Sequence, residues 1–285
     1  MSLQPISGLA KIAEQFDVYF IDIYGVIHDG TSIYPGALHC LEALALAGKS
    51  VLLLTNTPAR SQVIVKRLET IGIPPSLYQH VISSGEVAYR HIIERSDSWY
   101  ARLGDHCYFI GPSHSSLLEG SAVRLVSDID RADFIIAAGP DDWHTQLADY
   151  EETLQQAVVK KLPLICANPN RGSSLKVQAG DIAHFYETLG GEAHYHGKPY
   201  LTFYETALNC YPQIDKNRVL VIGDALEVDI RGALAMQLAC AWVTGGLHSY
   251  ELEAAHGIPA DEKAVRKTCD AYGSVPDYTI PGLIW

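Results

Sequence analysis

One aspartate stands directly after an apolar run near the start of the chain. The residues Val18 to Ile21 predict a short buried strand, and Asp22 follows it. Open α/β sheets bind their ligands at the carboxyl ends of such strands. A carboxylate there could act as a nucleophile toward phosphorus, and Gly25 would let the backbone turn tightly beside a ligand. Because Asp-x-x-Gly is also common in plain turns, a loop-capping role for Asp22 stays open.

Two further carboxylates follow a second apolar run. Val219 to Ile222 predicts a strand, and Asp224 and Asp229 stand where that strand ends and a helix begins. Hard cations such as Mg²⁺ prefer oxygen ligands of this kind. Asp229 could equally be the N-cap of the helix, and Glu227 could either lie near the site or face solvent.

Two other segments could bind a phosphate group. Thr55 and Asn56 directly follow a third apolar run and precede a predicted helix, whose N-terminus attracts anions. Plain helix capping is the alternative for this pair. Lys198, in Gly-Lys-Pro, could neutralise a transferring phosphoryl group. The Gly-Lys-Pro signal is weak alone and gains weight from its position after the other three segments.

The elements that must position these residues alternate between strands and helices. This order predicts a Rossmann-like α/β core, with a parallel sheet and helices on both faces. Thr57 is predicted to cap the second helix, and Pro58 to occupy its first turn. We predict strands at 18–23, 51–54, 107–110, 124–126, 134–138, 164–167, 219–222 and 240–244, with an edge strand at 278–280, and helices at 37–47, 57–71, 147–160, 182–189, 201–210 and 229–236.

The same segments suggest how the chain is divided into domains. The four segments described above lie before about residue 85 and beyond about residue 190, and the interval between carries none of them. We therefore predict a core formed by residues 1–85 and 190–285, with a large α/β insertion at residues 86–189. The tail from His248 to Trp285 carries no motif, and its apolar end is expected to pack on the core.

Composition argues against several classes of function. The 285 residues can bury a large core, and the formal net charge of -12 disfavours non-specific binding to a nucleic-acid backbone. No apolar run approaches the roughly 20 residues that span a bilayer, and the N-terminus lacks the pattern of a signal peptide. The six cysteines form no Cys-x-x-Cys pair and the histidines no obvious zinc set. We expect a cytoplasmic protein with buried thiols and no membrane partner.

The four segments, in this order, resemble the haloacid dehalogenase-like (HAD) superfamily of aspartyl hydrolases. The long insertion between Thr55 and Lys198 is similar to that of subclass IIA, the NagD and p-nitrophenyl phosphatase group, which carries a large α/β cap domain. The resemblance extends from about Phe16 to Gly246. It rests on the segments Gly25–Gly30, Tyr34–Gly36, Leu54–Pro58, Ala167–Asn170 and His196–Pro199.

This resemblance implies Mg²⁺-dependent hydrolysis of phosphate esters through an aspartyl-phosphate on Asp22. Asp22, the main-chain carbonyl of Tyr24 and Asp224 would hold the metal, and Asp229 would hold metal-bound water. The substrate would be a small phosphorylated metabolite such as a sugar phosphate, a nucleotide, or an aryl or acyl phosphate. A homodimer formed through the cap is compatible with the pattern.

The resemblance also implies which residues contact the phosphate and the rest of the substrate. Thr55 and Lys198 would take part in catalysis while binding the phosphate, together with the amide of Asn56. The cap loop would face the substrate and help to select it through Asn168, Asn170 and Arg171.

Tyr24 departs from the pattern of the family. Phosphatases of this superfamily usually have an aspartate there, which protonates the leaving oxygen and then activates water, a contribution of roughly 10²–10⁴-fold. Tyrosine, with an ordinary pKa of about 10, cannot do both near neutral pH. Another acid among His28, Asp29, Asp141 and Asp142 could substitute, or the esters could have good leaving groups. The third alternative is a protein that binds phosphate ligands with little or no turnover.

Tyr24 also makes a dehalogenase an alternative. The halide-releasing members of the superfamily resemble this chain in Asp-x-Tyr-Gly, and halide needs no general acid. They are metal-free, however, and their caps are placed differently. Without a cation, Asp224 and Asp229 would repel the charge of a carboxylate nucleophile. The sequence therefore favours the Mg²⁺-dependent phosphate-ester hydrolase.

Overall fold

A computed structural model describes residues 3–142, 144–172 and 176–285. The chain divides into two units. The first contains the described residues up to Thr55 together with Gln62–Ile82 and Lys198–Trp285. The second contains Asn56–Ser61 and the described residues of Ser83–Gly197, and each unit has its own sheet.

Strands and helices alternate along the chain, as the sequence predicts. The strands are β1 (Gln4–Pro5), β2 (Val18–Asp22), β3 (Ser50–Thr55), β4 (His80–Ser83), β5 (His106–Ile110), β6 (Arg124–Val126), β7 (Phe134–Ala137), β8 (Pro163–Cys166), β9 (Glu192–Tyr195), β10 (Val219–Gly223), β11 (Ala239–Val243) and β12 (Tyr278–Ile280). The α-helices are α1 (Ala37–Leu46), α2 (Ser61–Thr70), α3 (Ser84–Glu94), α4 (Ser98–Ala101), α5 (Glu151–Val159), α6 (Ala179–Thr188), α7 (Leu201–Leu208), α8 (Arg231–Ala235) and α9 (Glu262–Tyr272).

The sheet of the first unit brings the predicted site strands together at its centre. Its order is β1-β12-β11-β10-β2-β3-β4, and β2 pairs in parallel with both β10 and β3. Ile21 lies opposite Ile222, and Asp22 opposite Leu54. Every residue of β2 and of β10 is buried, as expected for central strands of a parallel sheet covered on both faces. The carboxyl ends of these strands therefore meet at one sheet edge.

The second unit contains a five-stranded parallel sheet, β6-β5-β7-β8-β9. Successive residues of β7 point to opposite faces, so Ile135 packs in one apolar cluster and Ile136 in the other. The two-sheet α/β architecture confirms the predicted fold class. The second unit extends to Gly197, beyond the predicted limit at residue 189, because β9 pairs with β8 and so belongs to this second sheet.

Two helix starts differ from the sequence prediction. The helix expected at Thr57 begins at Ser61 instead, because the Thr57 carbonyl accepts hydrogen bonds from Ala59 N and Gly85 N in a turn. The helix expected at Asp229 begins at Arg231 and is preceded by one π-helical turn, Leu226–Ile230. Asp229 lies inside that turn, so the N-cap interpretation of this residue is wrong.

The tail belongs to the first unit and is more regular than the sequence suggests. It contains α9, whose N-cap Asp261 accepts hydrogen bonds from Lys263 N and Ala264 N. Strand β12 is not at the edge of the sheet, because the two-residue strand β1 pairs on its outer side. Leu283 is fully buried, in accord with the expected packing of the apolar end.

Within the described residues, no helix is both long enough and apolar enough to span a bilayer. The six cysteines are free thiols, and Cys210 alone among them is not fully buried. Burial raises the pKa of the Cys40, Cys166 and Cys240 thiols to about 12. These side chains therefore stay neutral and serve as small apolar groups.

Histidine and aromatic rings form a cluster between α3, α4 and β9 in the second unit. His91 stacks on Tyr100 and on His196, with ring centroids 5.0 and 4.9 Å apart, and Trp99 stacks on His194 at 3.7 Å. The Tyr100 hydroxyl is hydrogen-bonded to His196 Nε2. Burial lowers the pKa of His196 to about 3, and it also lowers the pKa of His91 and of His194.

This cluster predicts a loss of stability in mild acid. The pKa of His196 is lower in the folded protein than the value of about 6.5 in an unfolded chain, so protons bind preferentially to the unfolded state. The stabilisation is complete above about pH 6.5 and is lost as the pH falls. Between about pH 6.5 and about pH 5, His196 alone should lower the free energy of unfolding by about 2 kcal/mol.

Urea unfolding of the full chain over this pH range measures the effect. His196→Gln removes the titrating group and should flatten the pH dependence. His114→Gln, a change at an exposed histidine of the same unit, should leave the dependence as in the wild type. An equal pH dependence in the wild type and in His196→Gln would contradict the assignment.

Candidate active site

Three aspartates form a buried carboxylate cluster in the first unit. Asp22 is the last residue of β2, Asp224 directly follows β10, and Asp229 lies in the π turn. One carboxylate oxygen from each residue lies within 4.8 Å of those of the other two, and the residues are 8%, 6% and 1% exposed. The structure thus brings together three residues predicted from separate sequence segments, and the plain-turn alternative for Asp22 does not account for this grouping.

Lys198 supplies a positive charge to this cluster. Its Nζ donates a hydrogen bond to Asp22 Oδ1 and another, of 2.7 Å, to Asp229 Oδ1. The lysine is itself 2% exposed. Burial alone would lower the pKa of Lys198, but the two carboxylates raise it above its ordinary value, so the ammonium stays charged.

The ionised forms of Asp22 and Asp224 are destabilised. Burial raises the pKa of Asp22, Lys198 lowers it and the charge of Asp229 raises it further, with a net upward shift. Burial also raises the pKa of Asp224, with the charges of Asp22 and Asp229 acting in the same direction. The negative charge of the cluster thus exceeds what the lysine balances.

Main-chain and ring donors fix the orientation of Asp224 and Asp229. Asp224 Oδ2 accepts from Leu247 N at 2.8 Å, and the Asp224 carbonyl accepts from Trp242 Nε1 at 2.9 Å. Asp229 Oδ2 accepts from Ala225 N at 3.2 Å. Leu247 and Trp242 could not be found from the sequence, because a backbone amide and a distant indole leave no recognisable spacing.

Glycines allow the backbone to approach these carboxylates. A Cβ on Gly25 would lie 1.9 Å from Asp224 Oδ2, and one on Gly246 would lie 2.5 Å from the same oxygen. Gly25 also has a φ of 85°, in the left-handed region that favours glycine. Both observations require glycine at position 25, in accord with the tight turn predicted there.

The donor set fits a divalent cation. Three carboxylates offer oxygen ligands, which hard cations prefer, and together with one lysine they leave an excess of negative charge. Bound positive charge would favour the ionised form of Asp22 and Asp224, against the effect of their burial.

The predicted phosphate-binding residues are buried at the end of a neighbouring strand. Thr55 is the last residue of β3 and is 4% exposed, and Asn56, which follows it, is 5% exposed. β3 is the parallel neighbour of β2, so Thr55 lies at the same sheet edge as Asp22.

An amide network in the second unit joins three of the predicted substrate residues. Asn56 Nδ2 donates to Asn170 Oδ1 at 2.7 Å, and Asn170 N donates to Asn168 Oδ1 at 3.1 Å. Arg171 instead forms an ion pair with Asp181, with Nε 3.5 Å from Oδ1. The structure therefore groups Asn56, Asn168 and Asn170 and places the Arg171 guanidinium against α6.

Tyr24 lies in the loop that follows Asp22 and is 63% exposed. Its ring meets His28 edge to face, with centroids 6.0 Å apart. His28 is buried, its Nδ1 accepts from Gly30 N at 2.8 Å, and burial lowers its pKa. His28 is therefore neutral near pH 7 and is a poor proton donor.

The carboxylates that could substitute as the acid, those of Asp29, Asp141 and Asp142, accept hydrogen bonds from main-chain amides. Asp29 accepts from the amides of Ser32 and Thr31 and from the Thr31 hydroxyl, and these bonds lower its pKa to about 2. Asp29 therefore carries no proton at neutral pH. In the second unit, Asp141 Oδ1 accepts from Gly111 N at 3.0 Å and Asp142 Oδ1 from His144 N at 2.8 Å.

Family models match both segments that form this sheet edge. The model for haloacid dehalogenase-like hydrolases matches residues 19–117, which include Asp22 and Thr55. A second model, for HAD-hydrolase-like proteins, matches residues 195–268, which include Lys198, Asp224 and Asp229.

Relatives and solved structures extend the similarity over the whole chain. The glycerol-3-phosphate phosphatase of Gallus gallus is 24% identical over 294 residues, which cover 94% of this chain and 89% of the relative. A haloacid dehalogenase-like family hydrolase from Brucella suis 1330 is 27% identical with a TM-score of 0.79, over 100% of both chains. NagD from E. coli K-12 shares the fold, with a TM-score of 0.68 at 21% identity over 94% of this chain and 97% of NagD.

The two matched segments, residues 19–117 and 195–268, include the carboxyl ends of β2, β3 and β10 and the residue Lys198. This chain belongs to the haloacid dehalogenase-like hydrolases, and its fold is that of the NagD and p-nitrophenyl phosphatase group.

Proposed function

We propose that this chain is a Mg²⁺-dependent phosphate-ester hydrolase that acts through an aspartyl-phosphate on Asp22. The observation that carries the proposal is the pairing of Asp22 with Lys198 inside the buried carboxylate cluster. A carboxylate can approach a phosphate anion only where positive charge offsets their repulsion. The name of the Gallus gallus relative, a phosphatase, supports the same reaction class.

In this proposal the carboxylate cluster is the metal site. Asp22, Asp224 and the main-chain carbonyl of Tyr24 would hold Mg²⁺, and Asp229 would hold a metal-bound water. The bound ion would supply positive charge beside the phosphate oxygens. Tyr24 can fill this role whatever its side chain, because its ligand is a backbone oxygen.

The reaction would proceed in two steps on Asp22. A carboxylate oxygen attacks phosphorus, the bond to the ester oxygen breaks, and the leaving alkoxide takes a proton from water and departs as the alcohol. Water then attacks the phosphorus of the aspartyl-phosphate, which releases inorganic phosphate and regenerates Asp22. Lys198 would stabilise the charge on the phosphoryl group, and Thr55 with the amide of Asn56 would hold its oxygens.

The inserted second unit would act as the cap that selects a small phosphorylated metabolite. Asn168 and Asn170 carry this part of the proposal, because their amide network includes Asn56. Arg171 would join them only if its ion pair with Asp181 opened.

A phosphate-binding protein with little turnover is the second candidate. The pKa of Asp29 and the neutral state of His28 leave neither residue as a proton donor at neutral pH. Tyr24 would have to donate a hydrogen bond, or the substrate would need a good leaving group. A metal-independent dehalogenase is disfavoured, because Asp224 and Asp229 place two further carboxylates beside Asp22.

Removal of the nucleophile tests the first candidate. Asp22→Asn should lower Mg²⁺-dependent release of phosphate from p-nitrophenyl phosphate and acetyl phosphate by at least about 10³-fold, because the amide cannot form the acyl phosphate. Asp270→Asn, at an exposed aspartate of α9, is the matched control and should keep the wild-type rate. Turnover that persists in Asp22→Asn, or in chelator, would contradict the proposed mechanism.

Restoring an acid at position 24 tests the role of Tyr24. Tyr24→Asp should raise the rate by up to about 10²-fold on alkyl phosphates, whose leaving oxygen needs a proton, and by less on p-nitrophenyl phosphate. Steady-state kinetics with both esters measure the difference. Tyr24→Phe should change either rate little, and a large loss in that variant would show that the tyrosine hydroxyl itself serves as the acid.

A further inference from the structure

A chain of side-chain hydrogen bonds reaches the turn between Asp224 and Asp229 from the tail of the protein. Leu226 N, the first amide of the π turn, donates to His248 Nε2 at 3.4 Å. His248 Nδ1 lies 3.1 Å from Glu251 Oε2, and Thr268 Oγ1 of α9 donates to Glu251 Oε1 at 3.4 Å. This series of hydrogen bonds therefore links α9, through Glu251 and His248, to the backbone of the π turn.

These partners fix the tautomer of His248. Nε2 accepts from a backbone N–H and so carries no proton, which leaves the proton of the neutral ring on Nδ1. Nδ1–H then donates to Glu251, whose carboxylate can only accept. Glu251 thereby holds the ring with its lone pair directed at the π turn.

Packing fixes the position of the same ring. His248 is 6% exposed and meets Trp242 and Tyr272 edge to face, with ring centroids 5.4 and 4.9 Å away. Trp242 itself donates to the carbonyl of Asp224, and Leu247, the residue before His248, donates to the Asp224 carboxylate. Two successive residues thus bind the two ends of the Asp224–Leu226 segment.

We propose that His248 is a positioning residue for the cation site of the first unit. By accepting from Leu226 N it holds the start of the π turn, so that Asp224 and Asp229 keep the spacing a divalent cation requires. The contribution comes through the backbone, because His248 is not itself one of the clustered carboxylate ligands. This inference rests on the proposed function, which makes the cluster a metal site.

Two substitutions separate the acceptor role of the ring from its other contacts. In His248→Gln, the side-chain Oε1 can occupy the place of Nε2 and accept from Leu226 N. In His248→Asn, the amide nitrogen can take the place of Nδ1 and donate to Glu251, but nothing reaches Leu226 N. Both substitutions remove the ring packing, so a difference between them reports on which hydrogen bond is kept, the one from Leu226 N or the one to Glu251.

The affinity of the full chain for Mn²⁺ can be measured without turnover, by detecting the free ion with electron paramagnetic resonance. His248→Asn should weaken Mn²⁺ binding by about 10–100-fold, the usual loss when a group that orients metal ligands is removed, and His248→Gln should stay much closer to the wild type. The Mg²⁺ concentration for half-maximal hydrolysis should shift in parallel, and excess Mg²⁺ should restore kcat in His248→Asn. His114→Asn, at an exposed histidine, is the control for a histidine substitution as such.

The alternative outcomes distinguish the inference from the proposed function. A wild-type chain that binds no Mn²⁺, or an Asp224→Asn variant that binds it as tightly as the wild type, would overturn the metal site and the inference with it. A wild type that binds Mn²⁺, with His248→Asn and His248→Gln equal to each other, would overturn the positioning role and leave the metal site in place.

Discussion

The burial of three carboxylates around one ammonium group is the constraint on which the rest of this structure depends. Asp22, Asp224 and Asp229 are each less than a tenth exposed, and so is Lys198, which pairs with two of them. Buried charges are costly unless they are paired or hydrogen-bonded, and one lysine cannot neutralise three aspartates. The upward shifts in the pKa of Asp22 and Asp224 express that imbalance. A protein that keeps such a cluster is built to accept further positive charge.

The local backbone follows from that constraint. The amides of Leu247 and Ala225 point at carboxylate oxygens, where they solvate charge that water does not reach. Positions 25 and 246 require glycine, because the Asp224 side chain fills the space that a Cβ would need. The π turn directs the Asp229 carboxylate toward Lys198, which donates a hydrogen bond to it.

The positions of the strand ends could be predicted from the sequence. The long-range hydrogen bonds that stabilise the turns after those strands could not. Apolar runs that stop at Asp22 and Asp224 suffice to bring both residues to one edge, because parallel strands end together. The π turn at Leu226 depends on acceptors contributed by distant residues such as His248, which no local pattern reveals. The inner position of β12 depends on a two-residue strand that is too short to give a periodic signal. Pairing between Asn56 and Asn170 spans 114 positions and likewise has no local signature.

The central claim is that this cluster carries an excess of negative charge which a divalent cation balances. The most direct test compares the melting temperatures of the wild type and Asp224→Asn in chelator and in Mg²⁺. The amide oxygen of the variant can still accept from Leu247 N, so the change removes one charge and little else. We expect the variant to melt at or above the wild type in chelator, and the wild type alone to gain stability from Mg²⁺. A wild type that gains nothing from Mg²⁺, or a variant that gains as much, would contradict this account.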